Sequence, residues 1–451
     1  MSSTSHMPPA SSPDHPHGHP LDADAPDAPP VSISARLGRL QFHNSGKFRV
    51  LQLADIQDGP KVASDTVRLI AAALDAARPD VVVLSGNQIA GYDEAYAPTF
   101  RKRRWNGGWN RMSRRQEERY AASLRHTHDL VRQGIEQFLK PMIDRGIPWA
   151  VTYGNHDFQC GLDNAELDAI YREFPGCLNP ESTATGYGRP RTSPVSGLPD
   201  ERILPCEPGT FALPVCDVDR THTVLGLVMV DSGDYDLLGG YGAPSPRALA
   251  FLADAPKMLG ARCMAFQHIP VPQYYRLLKE VSATTAHAVE GYRAFSGRHF
   301  VIDETTTLPG SYLGEGVSCP DQDSGEFDVL HAARYFALAT GHDHRNRFVG
   351  KVDGVALAAT PTCGFGSYGP APAQRAVRLI EFDTRHPHDP RTQLLEFGAL
   401  CGKPGSHKAY TYALNSTAPS PGETIDLLDR PGLIRRMLQR LGGDRHIRRR
   451  R

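Results

Sequence analysis

Short apolar runs that each break off at a residue with a lone pair to offer recur along this chain of 451 residues. Residues 80–85 (DVVVLS) are the clearest case. An uninterrupted apolar run of that length belongs inside a sheet covered on both faces, because a strand with one wet face would alternate. It passes directly into Gly86 and Asn87. Residues 48–55 (FRVLQLAD) end in Asp55, and Val67, Ile70 and Leu74 then recur at helical spacing over 64–77, which predicts a βα unit. Residues 148–153 (PWAVTY) run into Gly154, 224–231 (VLGLVMVD) end at Asp231, 262–267 (RCMAFQ) precede His268, and 335–340 (YFALAT) precede Gly341. Further strands are expected over 355–359 and 375–382, and helices over 114–144 and 246–259. Such alternation predicts a layered α/β fold.

The polar groups that close these strands form one chemical set: Asp55 with Gln57, Asn87, Asn155 with His156, His268, and His342 with His344. Imidazoles with carboxylate and amide oxygens suit Zn, Mn or Fe and disfavour a soft thiolate site. Loops at one edge of an α/β sheet are where such folds gather ligands. In Gly154-Asn155-His156-Asp157 the glycine permits a sharp turn. In Gly341-His342-Asp343-His344 the two imidazoles at i and i+2 fall on one side of an extended segment. Each motif alone is compatible with an ordinary turn or a surface histidine; their company gives them weight.

Composition limits the partners. Lys plus Arg and Asp plus Glu are 50 each, so no net field draws the molecule to nucleic acid or an anionic membrane, and neither is an expected partner. The eight cysteines include no CxxC pair and read as reduced thiols of a cytoplasmic protein. No stretch approaches the roughly 20 apolar residues of a membrane span. Residues 1–34 read as a disordered polar tail that includes His15, His17 and His19, residues 35–400 as the folded domain, and 401–451 as an extension with a basic end at Arg448–Arg451. Residues 179–209 and 296–323 read as long surface insertions. Residues 100–109 (FRKRRWNGGW) follow the Asn87 strand, and Arg101, Arg103 and Arg104 are candidate phosphate contacts; the alternative is a surface loop that packs Trp105 and Trp109 and keeps its charges wet.

Taken in order, these blocks resemble the calcineurin-like metallophosphoesterase superfamily, whose pattern runs DxH, GDxxxG, GNHD or GNHE, a lone His, then GHxH. The likeness spans roughly residues 47–382 and is closest to the single-domain branch that includes intracellular purple-acid-phosphatase-like proteins. Supporting blocks are Asp231-Ser232-Gly233-Asp234-Tyr235, His268-Ile269-Pro270, Gly314-Glu315-Gly316-Val317 and Gly364-Phe365-Gly366-Ser367-Tyr368-Gly369. The resemblance implies a four-layer αββα sandwich with long loop insertions and two divalent or trivalent metal ions (Mn, Fe or Zn) that activate a water and clamp the phosphoryl oxygens of a phosphorylated substrate. By position, Asp55, Gln57, Asn87 and His344 would surround one ion. Asn87, Asn155, His268 and His342 would surround the other, and His156 would steady the transition state or protonate the leaving oxygen.

Two departures fall on implied ligands: Gln57 stands where the pattern has the His of DxH, and Asn87 where it has the bridging Asp. Both are neutral, and Asp58 is a candidate replacement only if it turns inward. Three readings follow: an active phosphoesterase with a modified or metal-selective dinuclear site; a mononuclear, metal-depleted or inactive relative that binds a phosphorylated ligand without turnover; and a structural or nucleic-acid-binding protein using its arginine clusters.

Overall fold

The structure, a computed structural model, describes residues 32–104, 113–182 and 187–405. The readings of His15, His17 and His19, of Trp105 and Trp109, and of the terminal arginines lie outside those residues.

The described residues open with helix α1 (Ile33–Leu37), strand β1 (Lys47–Leu53), α2 (Ser64–Ala77) and β2 (Val81–Ser85), then α3 (Arg114–Ile143), β3 (Trp149–Thr152) and α4 (Asn164–Tyr171). Three strands follow, β4 (Leu204–Glu207), β5 (Thr210–Cys216) and β6 (Thr223–Met229), then α5 (Pro246–Leu259) and β7 (Cys263–Gln267). Next come β8 (Leu278–Val281), β9 (Val289–Glu290), β10 (His299–Ile302), α6 (Glu326–Ala332) and β11 (Ala337–Thr340). The described fold closes with β12 (Val349–Val352), β13 (Val355–Ala359), β14 (Ala376–Asp383), β15 (Arg391–Glu396) and α7 (Phe397–Cys401).

Two large sheets result, one ordered β15-β14-β1-β2-β3 and the other β12-β13-β11-β7-β6-β5-β4. Within them β1, β2 and β3 run parallel, as do β6, β7, β11 and β13, so the loops that leave these strands emerge at a common edge.

The period-2 alternation of side chains decides the layering. From β1, Leu51 and Leu53 join α2, α3 and α4 in one core. Phe48 and Val50, on the other face, meet Phe211, Leu227 and Phe266 of the second sheet. The second sheet's outer face packs Val228, Cys263 and Leu338 against Phe251 and Leu252 of α5 and Leu330 of α6. The order is therefore helices, sheet, sheet, helices, the expected αββα sandwich. Residues of β2 are buried throughout, as an interior strand between two apolar layers requires.

Helices α2 and α5 keep their expected bounds, and α5 has visible punctuation: Ser245 accepts from the Ala248 N–H, Pro246 stands in the first turn, and Gly260 closes the helix left-handed. The two presumed loop insertions are corrected. The first contains β4, which pairs with β5. The second contains β10, the centre of a small antiparallel sheet ordered β8-β10-β9. Its strands span only two to four residues, too short for a periodic signal. Among the described residues no helix is long and apolar enough to cross a membrane.

Candidate metal centre

The loops after β1 and β2 continue side by side beyond their strands: the Asp55 N–H donates to the Gly86 carbonyl and the Gln57 N–H to the Asn87 carbonyl. The Gly341 N–H donates to the His268 carbonyl and ties the β7 and β11 ends together in the same way. These bonds bring Asp55, Gln57, Asn87, Asn155, His268, His342 and His344 to one place between the two sheets, all of them buried.

Glycines permit the approach. A Cβ on Gly154 would overlap Asn87 Oδ1 and lie 2.6 Å from His268 Cδ2, and one on Gly86, whose φ is +98°, would press on the His268 ring. Backbone strain marks the same place. Asp55, Gln57, Asn87 and His342 all hold positive φ, at 54°, 43°, 52° and 73°. Such conformations cost roughly 1–3 kcal/mol each for residues with a Cβ and persist where surrounding structure over-determines them.

Asp157 organises the turn. Its buried carboxylate accepts from the N–H groups of Asn87 (2.8 Å), Ile89 (3.0 Å) and Gly154 (2.7 Å), which locks the β2 and β3 loops together. Burial nonetheless pushes its pKa up to about 7 against those three donors.

Carbonyl acceptors fix the imidazoles. His268 Nδ1 donates to the Ser85 carbonyl (3.1 Å) and His344 Nδ1 to the Tyr368 carbonyl (2.6 Å), so each Nε2 is the atom presented to the centre. His344 Nε2 lies 3.3 Å and His268 Nε2 3.8 Å from Asp55 Oδ1. Burial opposes ionisation of Asp55, but the His268 and His344 imidazoles outweigh it and hold the carboxyl well below the usual range. Burial lowers the pKa of His268 and, more strongly, that of His342, while Asp55 overcomes burial at His344 and raises it.

Asn87 occupies the expected position but turns the unexpected atom inward. Its Oδ1 accepts from the His156 N–H (2.8 Å), and its Nδ2 donates to Asp55 Oδ1 (3.3 Å) and Asn155 Oδ1 (3.1 Å). Flipping the amide would set its NH2 against the His156 N–H, donor against donor. Among the described residues no three His, Cys, Asp or Glu side chains close into an ion cage. What the centre does contain is a set of buried atoms without partners: Gln57 Oε1, His268 Nε2 and His342 Nε2. Two imidazole nitrogens and an amide oxygen beside one carboxylate are donor types that a borderline divalent ion accepts. An amide that presents N–H groups does not fit a bridge between two. Asp58 does not turn inward: its carboxylate accepts from the Ala63 N–H (3.3 Å) and the Thr66 hydroxyl (2.8 Å) at the start of α2.

Tyrosines surround the centre. The Tyr235 hydroxyl accepts from Asn155 Nδ2 (2.8 Å) and that of Tyr92 from Gln57 Nε2 (3.0 Å). Tyr241 stands edge-on to His342 with centroids 4.3 Å apart, Tyr368 lies flat on His344 at 4.1 Å, and Tyr92 is edge-on to His156 at 4.9 Å. Tyr235 and Tyr368 fall within motif blocks; Tyr92 and Tyr241 carried no signal, because a single tyrosine in a loop has no period to reveal it. His156 Nδ1 pairs with Gln159 Oε1 (2.7 Å), and burial pushes its pKa down to about 4.

Of the three arginines, Arg104 is committed to Asp234, with Asp231 at 3.8 Å. Arg103 stacks on the Tyr235 ring with its guanidinium carbon 3.5 Å from the centroid. The Arg101 N–H donates to the Gln159 carbonyl, which draws the segment to the edge of the centre.

No protein-family model matches the chain. It is 23% identical over 393 residues to probable inactive purple acid phosphatase 29 of Arabidopsis thaliana, covering 78% of this chain and 81% of that protein. It is also 23% identical over 343 residues to phosphatase DCR2 of Saccharomyces cerevisiae, covering 71% of this chain and 47% of that one. These sequence relatives are purple-acid-phosphatase-like proteins and a phosphatase, in keeping with the resemblance to calcineurin-like metallophosphoesterases. Solved structures similar to this chain include a dimetal phosphatase from Danio rerio, at 10% identity and a TM-score of 0.38 over 78% of this chain and 99% of that one. Purple acid phosphatase PPD1 from yellow lupin seeds is similar at 9% identity and a TM-score of 0.36, over 85% and 58%.

Proposed function

We propose that this chain is a metal-dependent phosphoesterase that works with one ion rather than two, held by Asp55, His268, His342 and His344 with the Gln57 oxygen beside them. One observation carries the reading: unpartnered Nε2 lone pairs on His268 and His342 accompany a single buried carboxylate, while Asn87 offers hydrogen-bond donors where a second ion needs a ligand. An ion in this position supplies Lewis acidity toward a phosphoryl oxygen and lowers the pKa of water.

The chain's own side chains do the rest. Asn155 and Tyr235 hold one wall of the centre by their hydrogen bond. His156 is neutral with its Nδ1 proton committed to Gln159, so its Nε2 enters as a proton acceptor rather than the donor that the resemblance implied. Arg103 is the arginine assigned to the phosphate, since Arg104 is spent on Asp234. Arg103→Ala should then raise KM for an anionic substrate with little change in kcat. The eight unpaired cysteines suit a reducing compartment, and the reading includes a cytoplasmic location.

A second reading, binding of a phosphorylated ligand without turnover, is favoured by the same Asn87 orientation and by the word inactive in the names of the plant relatives. Metal content per chain, paired with turnover of an aryl phosphate and of its diester, separates the two. One ion with turnover that disappears in His268→Ala supports the hydrolase. One ion without turnover establishes the second reading, and two ions per chain overturn the single-ion centre.

A further inference from the structure

A cavity of about 810 Å³ shares no residue with the metal centre. It opens at the edge of the sandwich where β12 and β13 face β14 and β15, and reaches into the core between the sheets. The space exists because β11 and β13 present alanines there: Ala337, Ala356 and Ala358 form its floor with Met264 and Ile380. Its volume is typical of a ligand site, and opposite the apolar floor its wall carries threonines and the polar groups of Lys351, Arg378, His386, His388, Asp389 and Arg391.

One of those polar groups is a buried cation. Arg378 on β14 is 3% exposed and lines the cavity. Its guanidinium donates to the Thr360 hydroxyl (2.8 Å), the Thr392 hydroxyl (2.9 Å) and the Ala359 carbonyl (2.7 Å), all neutral acceptors. The planar fork has N–H groups to spare beyond those three. Asp389, the carboxylate on the cavity wall, is paired with Lys351 at 2.8 Å. A guanidinium buried among hydroxyls and alanines is unfavourable unless an anion neutralises it. Nearby, His388 Nε2 is also buried without a partner.

We propose that this cavity is a second ligand site, separate from the metal centre, for a small organic monoanion with an apolar body: a carboxylate seated on Arg378 and a hydrocarbon portion over Ala337, Ala356, Ala358 and Ile380. Arg378 is the buried cation of the lining, since Lys351 is paired with Asp389 and Arg391 is exposed, and one buried guanidinium matches one carboxylate, whereas a phosphate dianion would require more donors. The class of ligand follows from charge and shape alone, and the site stands whether or not the centre hydrolyses phosphoesters.

Octanoate is the probe, titrated into the full-length protein by calorimetry beside 1-octanol and inorganic phosphate. Octanoate should bind wild type at least tenfold more tightly than octanol, and Arg378→Met should weaken it by about tenfold or more, the worth of a hydrogen bond to a charged group. Should Arg378→Met fail to fold, Thr306→Trp serves instead, because Thr306 lies exposed on the rim and a bulky ring there obstructs the mouth without touching the core; it too should weaken octanoate by about tenfold. Equal binding of octanoate and octanol overturns the proposal. So does octanoate affinity unchanged in the folded variants, or phosphate binding where octanoate does not.

Discussion

Replacing Asn87 by Asp restores the residue that the metallophosphoesterase pattern carries at this position, and its effect on stability can be worked from the amide's contacts. The new carboxylate oxygen would stand where Nδ2 now lies, 3.3 Å from Asp55 Oδ1. Two unit charges at that distance repel by about 5 kcal/mol at an effective dielectric of about 20. Protonation limits this: keeping a carboxyl of ordinary pKa near 3.9 neutral at pH 7 costs about 4 kcal/mol. The raised pKa of His344, whose Nε2 is 3.3 Å from the same oxygen, offsets a part. Asn87→Asp should therefore lose about 3–4 kcal/mol in chelator, measured by urea denaturation at neutral pH. Saturating Mn²⁺ should restore more stability to the variant than to wild type, and the ion count should rise from one to two per chain. A variant within about 1 kcal/mol of wild type in chelator would refute the claim that the Asn87 nitrogen faces the Asp55 carboxylate.

His268→Ala removes an imidazole whose Nε2 is without a partner and should drop the bound ion below one per chain by elemental analysis. Tyr235→Phe leaves Asn155 Nδ2 without its acceptor and should weaken ion affinity by about tenfold in calorimetry, with the fold unchanged. Gly154→Ala forces a methyl against Asn87 and His268 and should destabilise by about 1–3 kcal/mol in urea. Burial lifts the carboxyls of Glu201 and Glu326 to about 8. A carboxyl raised above its unfolded value of about 4.3 contributes fully below that value and loses its contribution as pH rises through the folded one, so the urea midpoint should fall from about pH 5 to pH 8 and fall less in Glu201→Gln.

How much of this could be read along the chain depends on the range of the interaction that decided it. The βα units, the αββα layering and the gathering of Asp55, Asn155, His268, His342 and His344 at one edge follow from local patterns, an apolar run and the polar residue that ends it. The polar seam between the sheets did not announce itself. Gln52 sits inside the run read as a plain strand, yet it donates to the Ser85 hydroxyl and accepts from Thr360, which in turn accepts from Arg378. Each partner comes from a different strand, so no window on the sequence contains the network, although Ser85 and the Ser85 carbonyl that orients His268 belong to it. The decisive feature of the centre is harder still to foresee. Whether Asn87 offers oxygen or nitrogen depends on a single backbone N–H, that of His156, arriving from the next strand's loop. An aspartate in the same place would present an oxygen whichever way it turned. The exchange of one carboxylate oxygen for an amide nitrogen thus leaves the fold as it is and acts on the ion and on the charge balance of the ion-free centre, which is why metal stoichiometry and stability in chelator, rather than shape, are the properties that report it.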